Sequence, residues 1–384
     1  MSNAEMFQVR TEEAPLLPAP VSTTGAIGWM RQNLFSSIGN TVLTFIGIYI
    51  AYAMIMPIIQ FAFIDAVWTG DDRNACLATE PGEKVGACWA YVGAYMKQFI
   101  YGRYPYEELY RVNIVYGLFA LLLIPLAMPS VPAKGLNALL FLVVFPIAAY
   151  YLLTGLEFGS FVVFPIVETA VWGGLLVTLV IAVTGIVASL PLGVALALGR
   201  RSQMPIIKLV SIIFIEFWRG VPLITVLFMA SVMLPLFLPE GVNFDKLLRV
   251  LIGVTLFSAA YMAEVVRGGL QAIPKGQYEG AMALGLRFWP MMYLIILPQA
   301  LKLVIPGIVN TFIGLFKDTT LVLIVGMFDL LGQIKSSFSD STWATPSQGP
   351  TGYLFAGVVF FLFCFGMSRY SIFMEKKLHT GHKR

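Results

Sequence analysis

Residues 279–298 read EGAMALGLRFWPMMYLIILP. The stretch starts as a short polar helix and ends in strongly apolar sequence. Just upstream, Pro274 suits a first helical turn, where no amide hydrogen is needed. Gln277, Glu279, Ala281, Met282, Ala283 and Leu284 are good helix formers. Gly276 and Gly280 each cost about 1 kcal/mol in helix propensity. They lie four apart and so share one helix face. A face of small residues lets another backbone come close, as between packed membrane helices. Gly285 fits the left-handed stop at a helix end. Pro290 can begin the next helix, and Pro298 should kink it. The order therefore predicts a short helix with a smooth face, joined by a tight turn to a kinked membrane helix. A push on the first can tilt the second. The plainer alternative is a capped loop helix packed on its own protein.

The surroundings make this a membrane protein. The chain has 384 residues, 58% hydrophobic and 12% charged. Soluble domains carry about 25% charged residues. Several runs exceed the roughly 20 apolar residues that cross a bilayer. The net charge of +4 is too small to suggest nucleic acid. Residues 1–30 are polar and proline-bearing, with no basic segment leading into an apolar core, and are expected to form a loose tail.

Eight spans are predicted: Ile38–Ile64, Val112–Met128, Leu136–Leu153, Glu168–Leu198, Pro205–Leu238, Leu247–Val266, Pro290–Phe316 and Tyr353–Phe373. The fold class is thus an all-α polytopic membrane protein. Pro205–Leu238 is too long for one straight helix. Leu321–Gln333 is apolar but short and reads as re-entrant or interfacial. Met and aromatic residues such as the run Phe360–Phe365 are expected to face lipid or pack.

Placing both termini in the cytoplasm puts Arg31, Lys134, Arg200, Arg201, Lys275, Arg287, Lys376, Lys377, Lys383 and Arg384 inside, as the positive-inside rule requires. The chain divides into the tail (1–30), a three-span extension (31–155) with an external loop (65–111), a five-span domain (166–374) with a cytoplasmic loop (268–290), and a basic tail (375–384). A linker is expected near Thr154–Pro165. Cys76 and Cys88 lie in the external loop. An oxidising compartment would let them pair, and two free thiols are the alternative. Trp343, in a later external loop, either packs there or touches a partner.

No phosphate-cradling G-x-x-x-x-G-K-[ST] motif occurs. Both histidines, His379 and His382, sit in the basic tail. No nucleophile–base set or metal-ligand cluster is visible. The chemistry available points to movement of a solute rather than its conversion.

The opening stretch resembles the cytoplasmic motif of ABC-transporter membrane subunits: EAA, three residues, Gly, nine residues, Ile, one residue, Leu-Pro. Here stand Glu279, Gly280, Ala281, then Gly285, then Ile295, then Leu297 and Pro298. One position departs, Gly280 for the usual Ala, which should weaken the helix. The flanks EFWRGVPL, YMAEVVRGGLQAIPKGQ and LPQALKLVIPGIVNTFIGLFKDTTL are similar to the polar amino-acid branch, over about Glu168–Phe373. The extra N-terminal spans resemble the longer permeases of general L-amino-acid uptake systems. The resemblance implies a type I importer permease domain in the last five spans, and makes Glu279–Gly285 a coupling helix that docks on a separate ATPase dimer. That dimer would use ATP and Mg; this chain would bind no cofactor of its own. It further implies a second permease subunit, identical or related, a periplasmic or extracellular amino-acid-binding protein, and the bacterial inner membrane as location.

Charged groups inside spans are costly and are functional candidates by default. Glu216 and Arg219, three apart, can pair with each other or line a pathway beside the helix break at Arg219–Pro222. Glu264 and Arg267 repeat that spacing. Lys317, Asp318, Thr319 and Thr320 follow the seventh span. An amino acid needs an acceptor for its ammonium, offered by Asp318 and the threonines, and donors for its carboxylate, offered by Arg219, Lys317 or amides freed at the helix break. Lys317 and Asp318 can equally form an interfacial ion pair. The rival to an ATP-driven importer is a stand-alone secondary amino-acid transporter, although the paired broken helices common in that class are not visible.

Overall fold

A computed structural model describes residues 25–78, 80, 84–128, 130–158, 161–239 and 244–378. The expected N-terminal tail falls outside them except for its last residues, which begin helix α1 (Gly25–Asn33). His379, His382, Lys383 and Arg384 also lie outside the described residues.

The chain forms two compact units, residues 1–66 with 84–87, and residues 67–83 with 88–384. In the first, α2 (Ile38–Ile59) runs on through a π-helical turn to Ile64. Ser37 caps it by accepting the Asn40 amide at 3.1 Å.

The second unit opens with the Cys76–Cys88 disulfide, Cα atoms 5.7 Å apart. The external loop is not merely loop. It carries helix α3 (Trp89–Tyr101), with Tyr91, Val92 and Phe99 buried. At 13 residues, α3 is too short to register as a span. Trp343 is buried against the Tyr91 ring, so it packs within this cluster. Next come α4 (Leu109–Ala127) and α5 (Lys134–Thr154), where the second and third spans are expected. The expected linker is instead a two-stranded antiparallel hairpin, β1 (Leu156–Phe158) with β2 (Phe161–Phe164). Arg111, fully buried, holds it: Nε donates to Leu152 O at 2.5 Å and Nη1 to Pro165 O at 2.9 Å. A buried guanidinium demands such acceptors; the two carbonyls and Glu108 Oε2, 3.3 Å from Nη1, supply them, and Nη2 has no partner among the described residues.

Helix α6 (Gly174–Arg200) starts later than Glu168, because residues 169–171 form a single 3-10 turn first. Then follow α7 (Pro205–Gly220) and α8 (Leu223–Phe237), which meet at 103°. The break falls at the Gly220–Pro222 step, where Pro222 has extended backbone. The last turn of α6 touches α7 at Ser211 and again at Glu216, so α7 crosses that turn rather than running alongside α6.

Helix α9 (Lys246–Ala272) is the centre of the domain. It lies parallel to α6, with Gly185 beside Val254 and Gly193 beside Met262. A short helix, α10 (Lys275–Ala283), follows.

The seventh span differs from expectation. Pro290–Phe316 is two helices, α11 (Phe288–Leu303) and α12 (Ile305–Asp318), parted at Val304, with the second continued by a 3-10 turn to Val325. Pro298 leaves the Leu294 carbonyl without its usual partner, and that carbonyl falls in a π-helical turn over Met292–Ile296. Proline and π-helical turns are both sites where helices bend. The stretch expected to be re-entrant divides: its first half completes α12, and its second half enters α13 (Leu330–Ser337), capped by Asp329. Helix α14 (Gln348–Leu378) ends the described chain. Seven helices among the described residues are long and apolar enough to span a membrane, and the bent α7–α8 pair makes an eighth.

Candidate coupling and translocation site

Helix α10 ends as its glycine predicts. Gly285 has φ +73°, the left-handed region. Its amide donates to Met282 O at 2.9 Å and the Leu286 amide to Ala281 O at 3.2 Å. Those two bonds are a Schellman cap. Ala281 is the one buried residue of α10 and joins the cluster of Met262, Val266, Leu270, Ile296 and Ala300. Glu279, Gly280 and Gly285 are exposed, and Leu284 keeps 78% of its surface. A Cβ on Gly276 or Gly280 would meet nothing within 4 Å. The small-residue face therefore points away from this chain, which disfavours the plainer alternative of a helix packed wholly on its own protein.

Three ties hold α10. Tyr278 Oη donates to Leu270 O of α9 at 3.1 Å. Arg201, just past α6, donates to Leu270 O at 2.8 Å and to Tyr278 Oη at 3.0 Å. Gln299 of α11 donates to Gln277 Oε1 at 3.1 Å. Leu297 and Ile295 pack beside them, and Pro298 starts the α-helical turns after the π segment. These ties connect α10 to α9, α11 and the α6–α7 turn.

Above it sits a charge cluster in which one of the two three-residue spacings, Glu264 with Arg267, forms a pair and the other does not. Glu216 and Arg219 do not pair with each other. Glu216 binds Arg200 at 2.8 Å. Glu264 receives Arg200 at 3.0 Å, Arg267 at 2.7 Å and Arg219 at 3.6 Å. Helical i,i+3 spacing puts two residues on one face, yet Glu216 and Arg219 each found a partner on another helix. Arg200 was missed as a site residue because it read only as an inside charge. Its position at the α6 C-terminus, where cations are favoured, was the available signal. The Arg219 guanidinium also lies over the Tyr261 ring at 5.8 Å.

Lys317, Asp318, Thr319 and Thr320 are elsewhere. Helices α11 and α12 run antiparallel to α9: Ala300 meets Gly269, Gly307 meets Val265, and Leu315 lies at Gly185 beside Val254. Val254 precedes Glu264 by ten residues, about 15 Å along a helix at 1.5 Å per residue. One amino acid cannot touch Asp318 and Arg219 together in this arrangement. Thr319 Oγ1 donates to Phe316 O at 2.8 Å and Thr320 Oγ1 to Lys317 O at 2.9 Å. Both hydroxyls keep acceptor capacity. No Lys317–Asp318 ion pair forms within 4 Å among the described residues. No group of three or more His, Cys, Asp or Glu that could hold a metal occurs among the described residues.

Residues 189–379 match the family model described as binding-protein-dependent transport system inner membrane component. The chain is 48% identical to the inner membrane amino-acid ABC transporter permease protein YhdY of Escherichia coli K12, over 96% of this chain and 97% of that protein. It is 42% identical to the glutamate/glutamine/aspartate/asparagine transport system permease protein BztC of Rhodobacter capsulatus, over 98% and 99%. Among solved structures, an amino acid ABC transporter crystallised with histidines covers 53% of this chain and 92% of its own, at 29% identity and a TM-score of 0.47.

Proposed function

This chain belongs to the family of amino-acid ABC transporter permease proteins, and from that premise we propose that it carries L-amino acids inward by alternating access, driven by a separate ATPase dimer that docks on α10. The observation that carries the proposal is the exposed, glycine-smoothed face of α10 combined with its three ties to α6, α9 and α11. An exposed helix with such ties is suited to pass a push from a docked body into the membrane helices. ATP and Mg belong to the ATPase in this scheme, as the lack of a phosphate-cradling motif in this chain supports. ATP binding would favour one arrangement of the ATPase pair, and α10 would bias the membrane helices toward the matching state.

The chain would work beside a second permease subunit and receive solute from an amino-acid-binding protein. Its place is the bacterial cytoplasmic membrane, with α10 and both termini inside. The names of YhdY and BztC support an amino-acid substrate. The Arg200–Glu216–Glu264–Arg219–Arg267 cluster serves as a brace at the inner end. Lys317, Asp318, Thr319 and Thr320 remain the candidates for solute contact on the outer part of the path.

The test is uptake of a panel of labelled amino acids into vesicles holding the complete complex. Glu279→Lys and Leu284→Asp alter exposed positions, so membrane insertion and melting should match the parent protein while uptake falls at least tenfold. Normal uptake in both variants would place coupling elsewhere. Concentrative uptake by this polypeptide alone, without nucleotide, would support the secondary transporter instead.

A further inference from the structure

At the end of the domain opposite α10 lies a small cavity of about 140 Å3. It joins the extension to the permease domain. Arg103 follows α3, Trp172 precedes α6, Asp245 and Lys246 begin α9, and Gln333 belongs to α13. Arg103 is fixed by its backbone: its amide donates to Val171 O at 3.0 Å. At the preceding residue the two backbone segments touch so closely that a Cβ on Gly102 would sit 2.3 Å from Gly173 N. The guanidinium then lies over the Phe328 ring at 6.0 Å.

The lining has donors to spare. Neither Arg103 nor Lys246 has a carboxylate within 4 Å among the described residues. Asp245 is already engaged, accepting the Leu247 amide at 2.8 Å with Oδ1 and the Thr169 hydroxyl at 2.5 Å with Oδ2. Gln333 Oε1 accepts from Gln98 Nε2 at 3.0 Å and from the Ser336 hydroxyl at 3.4 Å, and its Nε2 has no acceptor among the described residues. Trp172 is 6% exposed, and its Nε1 is buried with no partner. The N-terminus of the 27-residue helix α9 adds positive potential at the same place. Arg103 and Lys246 outnumber the one carboxylate of the lining, Asp245, and with the unpaired Gln333 amide they suit an acceptor-rich anion.

Resting on the amino-acid import reading, we propose that this cavity is an external reception site for the carboxylate of an arriving amino acid, selective for those with net negative charge. Arg103 and Lys246 hold the carboxylate, and the Gln333 amide completes its hydrogen bonds. The extension thereby delivers Arg103 to the mouth of the permease domain. Because the site holds charge at the entrance rather than in the spans, its ligand is not desolvated before the membrane helices open.

The experiment uses the full complex, without binding protein, in nanodiscs. Equilibrium binding is measured with labelled L-glutamate, L-glutamine and a cationic amino acid. Glutamate should bind at least tenfold more tightly than the other two. R103Q and K246Q should each weaken glutamate binding at least tenfold, while R103K restores part of it. Glutamate binding within twofold of the parent in K246Q would overturn the proposal; Lys246 is exposed, so that variant should fold. The two failures separate cleanly. A complex that imports no amino acid refutes the function proposed above. One that imports amino acids yet binds glutamate no better than glutamine refutes only the reception site.

Discussion

Adding one methyl group to Gly269 should force α9 and α11 apart directly above α10. A Cβ there would lie 2.6 Å from Ala300 O and 2.9 Å from Val304 Cγ1. The first distance is 0.8 Å inside the 3.4 Å at which ordinary contact begins. The obstacle is a helical backbone carbonyl, which cannot swing away as a side chain would. The helices must therefore separate by several tenths of an ångström. Overpacking of this kind costs about 1–3 kcal/mol. Alanine returns about 1 kcal/mol of helix propensity, so Gly269→Ala should destabilise by up to about 2 kcal/mol. The adjacent residue is the control. Gly268 is exposed, and a Cβ there meets nothing within 4 Å. Gly268→Ala should keep the propensity gain and be neutral or stabilising by up to about 1 kcal/mol. The assay is a tryptophan-fluorescence melt of the purified complex, read beside nucleotide-driven uptake. Gly269→Ala should melt several degrees below Gly268→Ala and lose uptake relative to ATP hydrolysis. Equal melting points and equal uptake would refute the idea that this seam transmits the movement of α10.

Two further outcomes follow from the charges. Glu264→Gln leaves Arg200, Arg219 and Arg267 facing only Glu216, and should destabilise by about 1–3 kcal/mol, below the 3–5 kcal/mol of a fully buried pair, because the guanidiniums are 23–36% exposed. Salt should narrow the difference, and denaturation at low and high ionic strength checks it. Burial pushes the Asp329 carboxyl up from 3.8 to about 6, against the pull of the Gly332 and Leu331 amides. The folded protein then holds this proton more tightly than the unfolded chain does. The resulting stabilisation is full below about pH 3.8 and lost as pH rises through about 6. Asp329→Asn keeps a capping acceptor but cannot ionise, so its melting point should gain on the parent's between pH 4 and 6. Parallel curves for the two proteins would refute it.

Much of the fold was legible because hydropathy is a local sum. Runs such as Lys246–Ala272 partition into lipid whatever their neighbours, and the number of spans follows. The stop at Gly285 and the break at Gly220–Pro222 were readable for the same reason, since backbone conformation at glycine and proline is a property of the residue itself. The division at Val304 was hidden because both halves are equally apolar and no composition change marks it. Helix α3 and the hairpin of β1 and β2 were hidden because each is too short to stand alone and is held by distant residues, Trp343 for the one and Arg111 for the other.

The site divides along the same line. Residue order was enough to place the long apolar spans, the bounds of α10 and its bare glycine face. Folding in space was needed to gather three arginines on Glu264 rather than Glu216, and to bring Arg103 of a loop to the same cavity as Lys246 of a helix 143 positions away. Propensity and partition act on neighbours along the chain. Ion pairs and cavities depend on separation in space, and helix crossings set that separation through packing that no single segment encodes.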